Sequence, residues 1–204
     1  MKIIALEGPS YAGKTTAIRH LRTCGIEQRA FVSDCYVQHI ADRDDVPPAR
    51  TGSAAEQLAA FALFMDIEGT RVREALDHAR PVVILDRSVD TLLAHAHALD
   101  AIFGYDVHRQ LCDRLQELPF LRPHHTLYLD VPAETLALRH KLAGHTATES
   151  DYFLHEPAFL AHARNYFVSA VRLPVSREVT VISADTSPED VAHAVQSLVA
   201  YWGR

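Results

Sequence analysis

The feature that most constrains the fold is an eight-residue run, Gly8-Pro9-Ser10-Tyr11-Ala12-Gly13-Lys14-Thr15, placed directly after the apolar segment Lys2-Ile3-Ile4-Ala5-Leu6. It satisfies G-x-x-x-x-G-K-[ST], and the residues after it, Thr16-Ala17-Ile18-Arg19-His20-Leu21, space their apolar members as a helix does. A strand, a glycine turn and a helix in that order bring several backbone N–H groups onto one anion. The lysine can then reach the outer phosphates, and the threonine hydroxyl can hold a Mg²⁺ ion. Gly8, Tyr11, Ala12, Gly13, Lys14, Thr15 and Thr16 are therefore the expected phosphate-binding set. A glycine-containing surface turn would use the same letters, but would not need the strand before them and the helix after them.

The rest of the chain continues the alternation. Apolar runs at 2–6, 29–33, 82–86, 126–130 and 178–182 read as strands. Helical patterns lie between them at 14–23, 53–79, 87–100, 106–117, 132–142, 157–171 and 188–201. Short Val/Ile/Leu-rich strands separated by helices predict an α/β fold, a three-layer sandwich around a parallel sheet buried on both faces. Leu58, Phe61, Met65, Val72 and Leu76 form one stripe on the longest helix, with a bend expected at Gly69. Ser53 and the Asp185-Thr186-Ser187 run before Pro188 are candidate N-caps.

A chain of 204 residues, nearly half of them apolar, is sized for one domain spanning 1–204. The formal charge of −6 argues against nucleic acid as a partner, since that needs a basic face. Cys24, Cys35 and Cys112 are too few for a disulfide framework. With the first strand at residue 2 and no membrane-length apolar run, the expected setting is cytoplasmic. The thirteen histidines are scattered, and solvated side chains explain them better than a metal site.

Pro81-Val82-Val83-Ile84-Leu85-Asp86-Arg87-Ser88 is the second informative segment. It delivers an Asp and an Arg to the carboxyl end of a strand, where ligands bind in open parallel sheets. Asp86 could join Thr15 at a metal and Arg87 could clamp a phosphoryl group; alternatively, Asp86 caps the next helix and Arg87 makes a surface ion pair. Asp34, after the second strand, either forms a turn or takes the proton of an attacking hydroxyl. Asp130 ends the fourth strand and reads as a helix cap. Arg139 and Lys141 precede a polar stretch, Ala143-Gly144-His145-Thr146-Ala147-Thr148-Glu149-Ser150-Asp151, so a lid is expected near 139–156.

Taken together, the phosphate loop, the Leu63-Phe64-Met65-Asp66 helix, Asp86-Arg87-Ser88 with Leu92-Leu93-Ala94-His95, and Tyr128-Leu129-Asp130-Val131-Pro132-Ala133-Glu134 resemble the thymidylate kinase family and the related deoxynucleoside kinases. The resemblance implies a P-loop kinase fold with a five-stranded parallel sheet of order 2-3-1-4-5, an ATP donor, Mg²⁺ and often a homodimer. Some thymidylate kinase contacts are absent. Asp34-Cys35-Tyr36 stands where that family carries Arg-Glu-Pro-Gly-Gly, Asp66-Ile67 replaces its Asp-Arg, and His95-Ala96 replaces a Tyr-Gln pair. Asp34 with Asp86-Arg87-Ser88 instead resembles the deoxynucleoside kinase arrangement, which suits a neutral hydroxyl as acceptor.

The expected activity is thus ATP- and Mg²⁺-dependent phosphoryl transfer to a nucleoside or nucleoside-monophosphate-like small molecule. Lys14 follows the transferring group, Thr15 and Asp86 hold the metal, and Arg87 steadies the acceptor. Arg139 and Lys141 close over the donor, and Asp34 is the base if the acceptor is a hydroxyl. A kinase for an antibiotic or other metabolite fits the same letters. A nucleotide switch fits less well, because Asn165, the one asparagine, is in no Asn-Lys-x-Asp motif and Asp66-Ile67-Glu68-Gly69 falls within a helix pattern. A non-catalytic scaffold is disfavoured by the presence of Lys14, Thr15 and Asp86 together.

Overall fold

All five apolar runs enter one parallel sheet in the computed structural model, which describes residues 1–40, 46–144, 153–171 and 173–203. The strands are β1 (Lys2–Glu7), β2 (Ala30–Ser33), β3 (Val82–Asp86), β4 (His125–Asp130) and β5 (Glu178–Ser183). Their order is β2-β3-β1-β4-β5, and every pairing is parallel. The helices are α1 (Lys14–Thr23), α2 (Tyr36–His39), α3 (Ala54–His78), α4 (Val89–Phe103), α5 (His108–Leu115), α6 (Ala133–Leu142), α7 (Pro157–Val168) and α8 (Pro188–Trp202).

Strand alternation divides the core between the two sides of this sheet. Ile4, Leu6, Val82, Ile84, Leu127 and Leu129 pack with Ala17, Ile18 and Leu21 of α1 and Val191, Val195 and Val199 of α8. Ile3, Ala5, Val83 and Leu85 face the other way, onto Ala75 of α3 and Leu121. A third cluster joins α3, α4, α5 and α7 through Phe61, Met65, Leu93, Leu111 and Tyr166. Where both sheet faces are covered, as at β1 and β3, the strands read as nearly continuous apolar runs, whereas the edge strand β5 is partly exposed.

Ser53 accepts from the Glu56 N–H at the start of α3, and Ser187 accepts from the Asp190 N–H at the start of α8, so both expected caps form. Two details of α3 differ from expectation. The helix continues through Gly69, and Leu76 is exposed while Glu68 and Arg71 occupy its buried side. The charged pair takes the place of apolar residues because each member satisfies the other, as the site below makes clear. The three cysteines are free, and no helix among the described residues is long and apolar enough to cross a membrane. Part of the expected lid, 145–152, lies outside the described residues.

Candidate active site

The glycine turn has the geometry its sequence requires. Gly8 sits at φ 137°, and a Cβ there would lie 2.8 Å from the Leu129 carbonyl oxygen and 3.2 Å from the Leu129 Cβ, so only glycine fits between β1 and β4. Gly13, at φ 100°, precedes the first turn of α1 and has open space where a Cβ would point. Tyr11 also has positive φ, 63°, and its ring meets those of His140 and His155. Ala12 is buried, whereas Thr15 and Thr16 are exposed at the start of α1. The first turn of α1 thus presents its free N–H groups beside a curled loop, an arrangement that attracts anions.

Lys14 folds back over this loop, donating from Nζ to the carbonyls of Gly8 at 2.8 Å and Pro9 at 2.7 Å. Burial, and then the nearby Arg87 charge, push its ammonium down to about 7, with Asp86 and Glu7 pulling the other way. A dianionic phosphoryl group would supply the missing counter-charge.

Asp86 and Arg87 lie where β3 delivers them. One carboxylate oxygen of Asp86, Oδ1, is buried without a hydrogen-bond partner among the described residues. An orphaned carboxylate oxygen acting on the Lys14 ammonium, with the exposed Thr15 hydroxyl at the same loop, is a donor set that suits Mg²⁺. That ion is typically held by one or two protein oxygens plus phosphates rather than by a full protein cage. Consistent with this, no group of three or more His, Cys, Asp or Glu side chains among the described residues is placed to hold a metal. The helix-cap role belongs instead to Ser88, which accepts from the Asp90 N–H.

Arg87 has φ 66°, and this conformation is braced from below. Arg71, fully buried on α3, donates to the carbonyl of Arg87 at 2.8 Å, to Ser33 Oγ at 3.0 Å and to Glu68 Oε2 at 2.8 Å. The Tyr36 hydroxyl also donates to Glu68, and the Tyr36 ring lies 4.5 Å from the Arg71 guanidinium. Glu68 Oε1 accepts from the Leu121 N–H. Glu7 makes a parallel brace: its buried carboxylate accepts from the N–H and hydroxyl of Ser88 and from the Thr91 hydroxyl. Burial raises the Glu7 carboxyl, while Arg87, Thr91 and Ser88 lower it. The sequence reading singles out none of Glu7, Glu68 and Arg71 as site residues; the signal was a charge ending an apolar strand and two charges inside a helix stripe.

Four expected residues are placed differently. Asp34 does not line the cavity; its carboxylate takes the Arg22 guanidinium at 2.8 Å, both side chains being nearly half exposed. Ser33 points to Arg71 on the α3 side, so alternation turns Asp34 to the opposite face, toward α1. Arg139 is already engaged, donating to the carbonyls of Tyr11, Ala184 and Thr186, so it ties α6 to the phosphate loop and to the β5–α8 connection. Lys141 is exposed and outside the cavity lining. Asp130 caps no helix: it accepts two 2.7 Å bonds from Arg164 of α7. Pro132 occupies the N-cap position of α6.

These elements surround a cavity of about 1220 Å³. One end is formed by Gly8, Pro9, Ser10 and Arg87, and the body by Phe61, Phe64, Leu92, Phe159 and Phe167. This exceeds the roughly 300–1,000 Å³ of a site for one small ligand, leaving room for an acceptor and the end of a donor.

No family profile matches the chain, and no curated protein sequence does either. Solved structures do. Deoxyadenosine kinase from M. mycoides with the products dCMP and a flexible dCDP bound superposes with a TM-score of 0.64 at 14% identity, covering 98% of this chain and 99% of that one. The fold is shared with a kinase. The same enzyme with bound dATP gives a TM-score of 0.64 at 13% identity, over 97% of this chain and 99% of that one. With dCTP bound the TM-score is 0.59, again at 13% identity, over 98% and 99%. At this identity the likeness is one of fold, and function must be argued from the side chains.

Proposed function

We propose that this chain is a nucleoside kinase, transferring the γ-phosphoryl group of ATP to a hydroxyl of a nucleoside. The observation that carries the reading is the continuity of the cavity, which runs from the glycine turn and Arg87 into an aromatic-lined chamber. The full-length similarity to a deoxyadenosine kinase that binds dATP and dCTP supports the same choice.

A neutral hydroxyl suits the acceptor side better than a phosphate does. Among the described residues lining the cavity, the cations are Arg87 and Arg164, and Arg164 is neutralised by Asp130. A nucleoside monophosphate would bring a second dianion beside the donor, with one arginine left for both. This weighs against a thymidylate-kinase-like acceptor, since the arginine that family carries there is here replaced by Asp34-Cys35-Tyr36.

The loop N–H groups of Gly8–Thr16 hold the triphosphate, and Lys14 exchanges its carbonyl partners for phosphate oxygens. Thr15 and Asp86 would hold Mg²⁺, which when bound offsets charge on the phosphates. Arg87, fixed by Arg71 and close to Glu7, steadies the group in flight. Phosphoryl transfer through a loose transition state depends mainly on alignment and charge stabilisation, which is what these residues supply. Arg139 holds the loop against the β5–α8 connection rather than moving onto it.

The test is to incubate the protein with radiolabelled ATP, Mg²⁺ and each common deoxynucleoside or deoxynucleoside monophosphate. Labelled nucleoside monophosphate is expected, and Lys14→Ala should abolish it in folded protein. Labelling of the monophosphates alone, or of nothing, would overturn the proposal.

A further inference from the structure

In the chamber, α4 carries a ring nitrogen with no partner among the described residues. His95 lies six residues beyond Val89, the start of α4, and hence about 9 Å along the helix axis from the end beside Arg87. It lines the cavity, its ring is edge-on to Phe159 at 5.2 Å between centroids, and its Nε2 is buried with no hydrogen-bond partner among the described residues. A buried polar atom left unpaired costs free energy, and one facing a ligand cavity is relieved when a ligand supplies the partner.

The state of the ring decides which partner it accepts. Burial pushes His95 down to about 4, and the Ala49 carbonyl opposes this only in part, so the imidazole is neutral at physiological pH. Neutral imidazole has one N–H, and the Ala49 carbonyl is an acceptor that draws it. The other ring nitrogen is a lone pair, which requires a donor. The chamber around it is apolar and aromatic, supplied by Phe61, Phe64, Leu92 and Phe159, a surface that suits a flat ring.

We infer that His95 is a specificity-determining residue, whose lone pair accepts a hydrogen bond from an amino group on the ring of the acceptor. The chamber therefore selects amino-bearing nucleobases over counterparts with an oxo group at the same position. This rests on the nucleoside kinase reading and adds to it the edge by which the base is recognised. An oxo group would set two lone pairs against each other and leave both desolvated, a mismatch that sites built for hydrogen bonding reject strongly.

The experiment compares kcat/KM for deoxycytidine against deoxyuridine, and for deoxyadenosine against deoxyinosine, in the wild type, His95→Leu and His95→Gln. The wild type is expected to prefer the amino member at least tenfold in one pair. His95→Leu should bring that ratio to within about threefold of one, chiefly through KM, because the contact is remote from the reacting atoms. His95→Gln, which retains an acceptor, should restore part of the preference. His95→Leu removes the unpartnered nitrogen and also the contact with the Ala49 carbonyl, so its melting temperature is measured alongside; a cooperatively folded variant is expected, and a lost preference in it would not reflect unfolding. A preference that survives in His95→Leu, or a wild type that favours the oxo members, overturns the inference and leaves the kinase reading standing. Failure to phosphorylate any nucleoside overturns both.

Discussion

Arg71→Met tests whether the buried charge network supports Arg87, the arginine proposed to steady the transferring group. The substitution keeps most of the volume but removes donors to Glu68, Ser33 and the Arg87 carbonyl, all within 3.0 Å. Glu68 keeps the Tyr36 hydroxyl and the Leu121 N–H but loses its cation, at full burial. Breaking a buried ion pair from one side costs about 3–5 kcal/mol. For a domain of this size each kcal/mol moves Tm by roughly 2–4 °C, so the variant should melt some 6–20 °C lower. Adding Glu68→Gln removes the stranded charge while keeping an acceptor, and the double variant should recover more than half of the loss. Denaturant unfolding of the four proteins gives the coupling directly. A cost below about 1 kcal/mol for Arg71→Met, or a double variant less stable than the single, would refute the assignment of an uncompensated carboxylate at Glu68.

Other substitutions address the remaining parts of the site. Triphosphate binding should raise Lys14 from about 7, so calorimetry near pH 8 in buffers of different ionisation heat should show uptake approaching one proton, absent in Lys14→Arg. In the unliganded protein the same depression means that the folded state binds fewer protons than the unfolded one between about 7 and the ordinary 10.5. The lysine's contribution to stability therefore rises with pH across that window and is lost as pH falls through 7; a flat difference from Lys14→Met would contradict this. Gly8→Ala should weaken triphosphate binding at least tenfold, since the new methyl meets the Leu129 backbone at 2.8 Å, and unchanged calorimetric affinity would count against the cradle. Asp34→Asn should keep kcat within about threefold, because the carboxylate faces Arg22; a hundredfold loss would mean that it enters the cavity during turnover.

The sequence was legible where a residue's role depends on its immediate neighbours. The strands read from Val/Ile/Leu runs lie within a residue or so of β1 through β5, most plainly in β1 and β3, whose burial on both sides favours unbroken apolar runs. Gly8 and Gly13 could be read because each is demanded by its own backbone conformation. Ser53 and Ser187 were readable for a similar reason, since a cap bonds three residues along the same chain. Asp34, Asp130 and Arg139 were not. Their partners are Arg22, Arg164 and three carbonyls, the most distant of them separated by over a hundred residues. Orientation at a strand end depends on register, and for Asp34 one step of alternation separates the cavity from the α1 face.

The charges missed in sequence share one arrangement that bears on function. Glu7 ends β1, Glu68 and Arg71 lie inside α3, and each is spent on fixing Arg87 or the first turn of α4 rather than on touching the cavity with a free charge. Arg164 is likewise matched by Asp130. The result is a cavity that is polar at the glycine turn and Arg87, and whose body is lined mainly by apolar and aromatic side chains, with Arg164 and Asp130 there paired to each other. Such a division lets charge act on the transferring group at short range in a water-poor setting, where it is worth most. On the proposed reading it also leaves discrimination among acceptors mainly to uncharged groups, and among the described lining residues His95 carries an unsatisfied ring nitrogen.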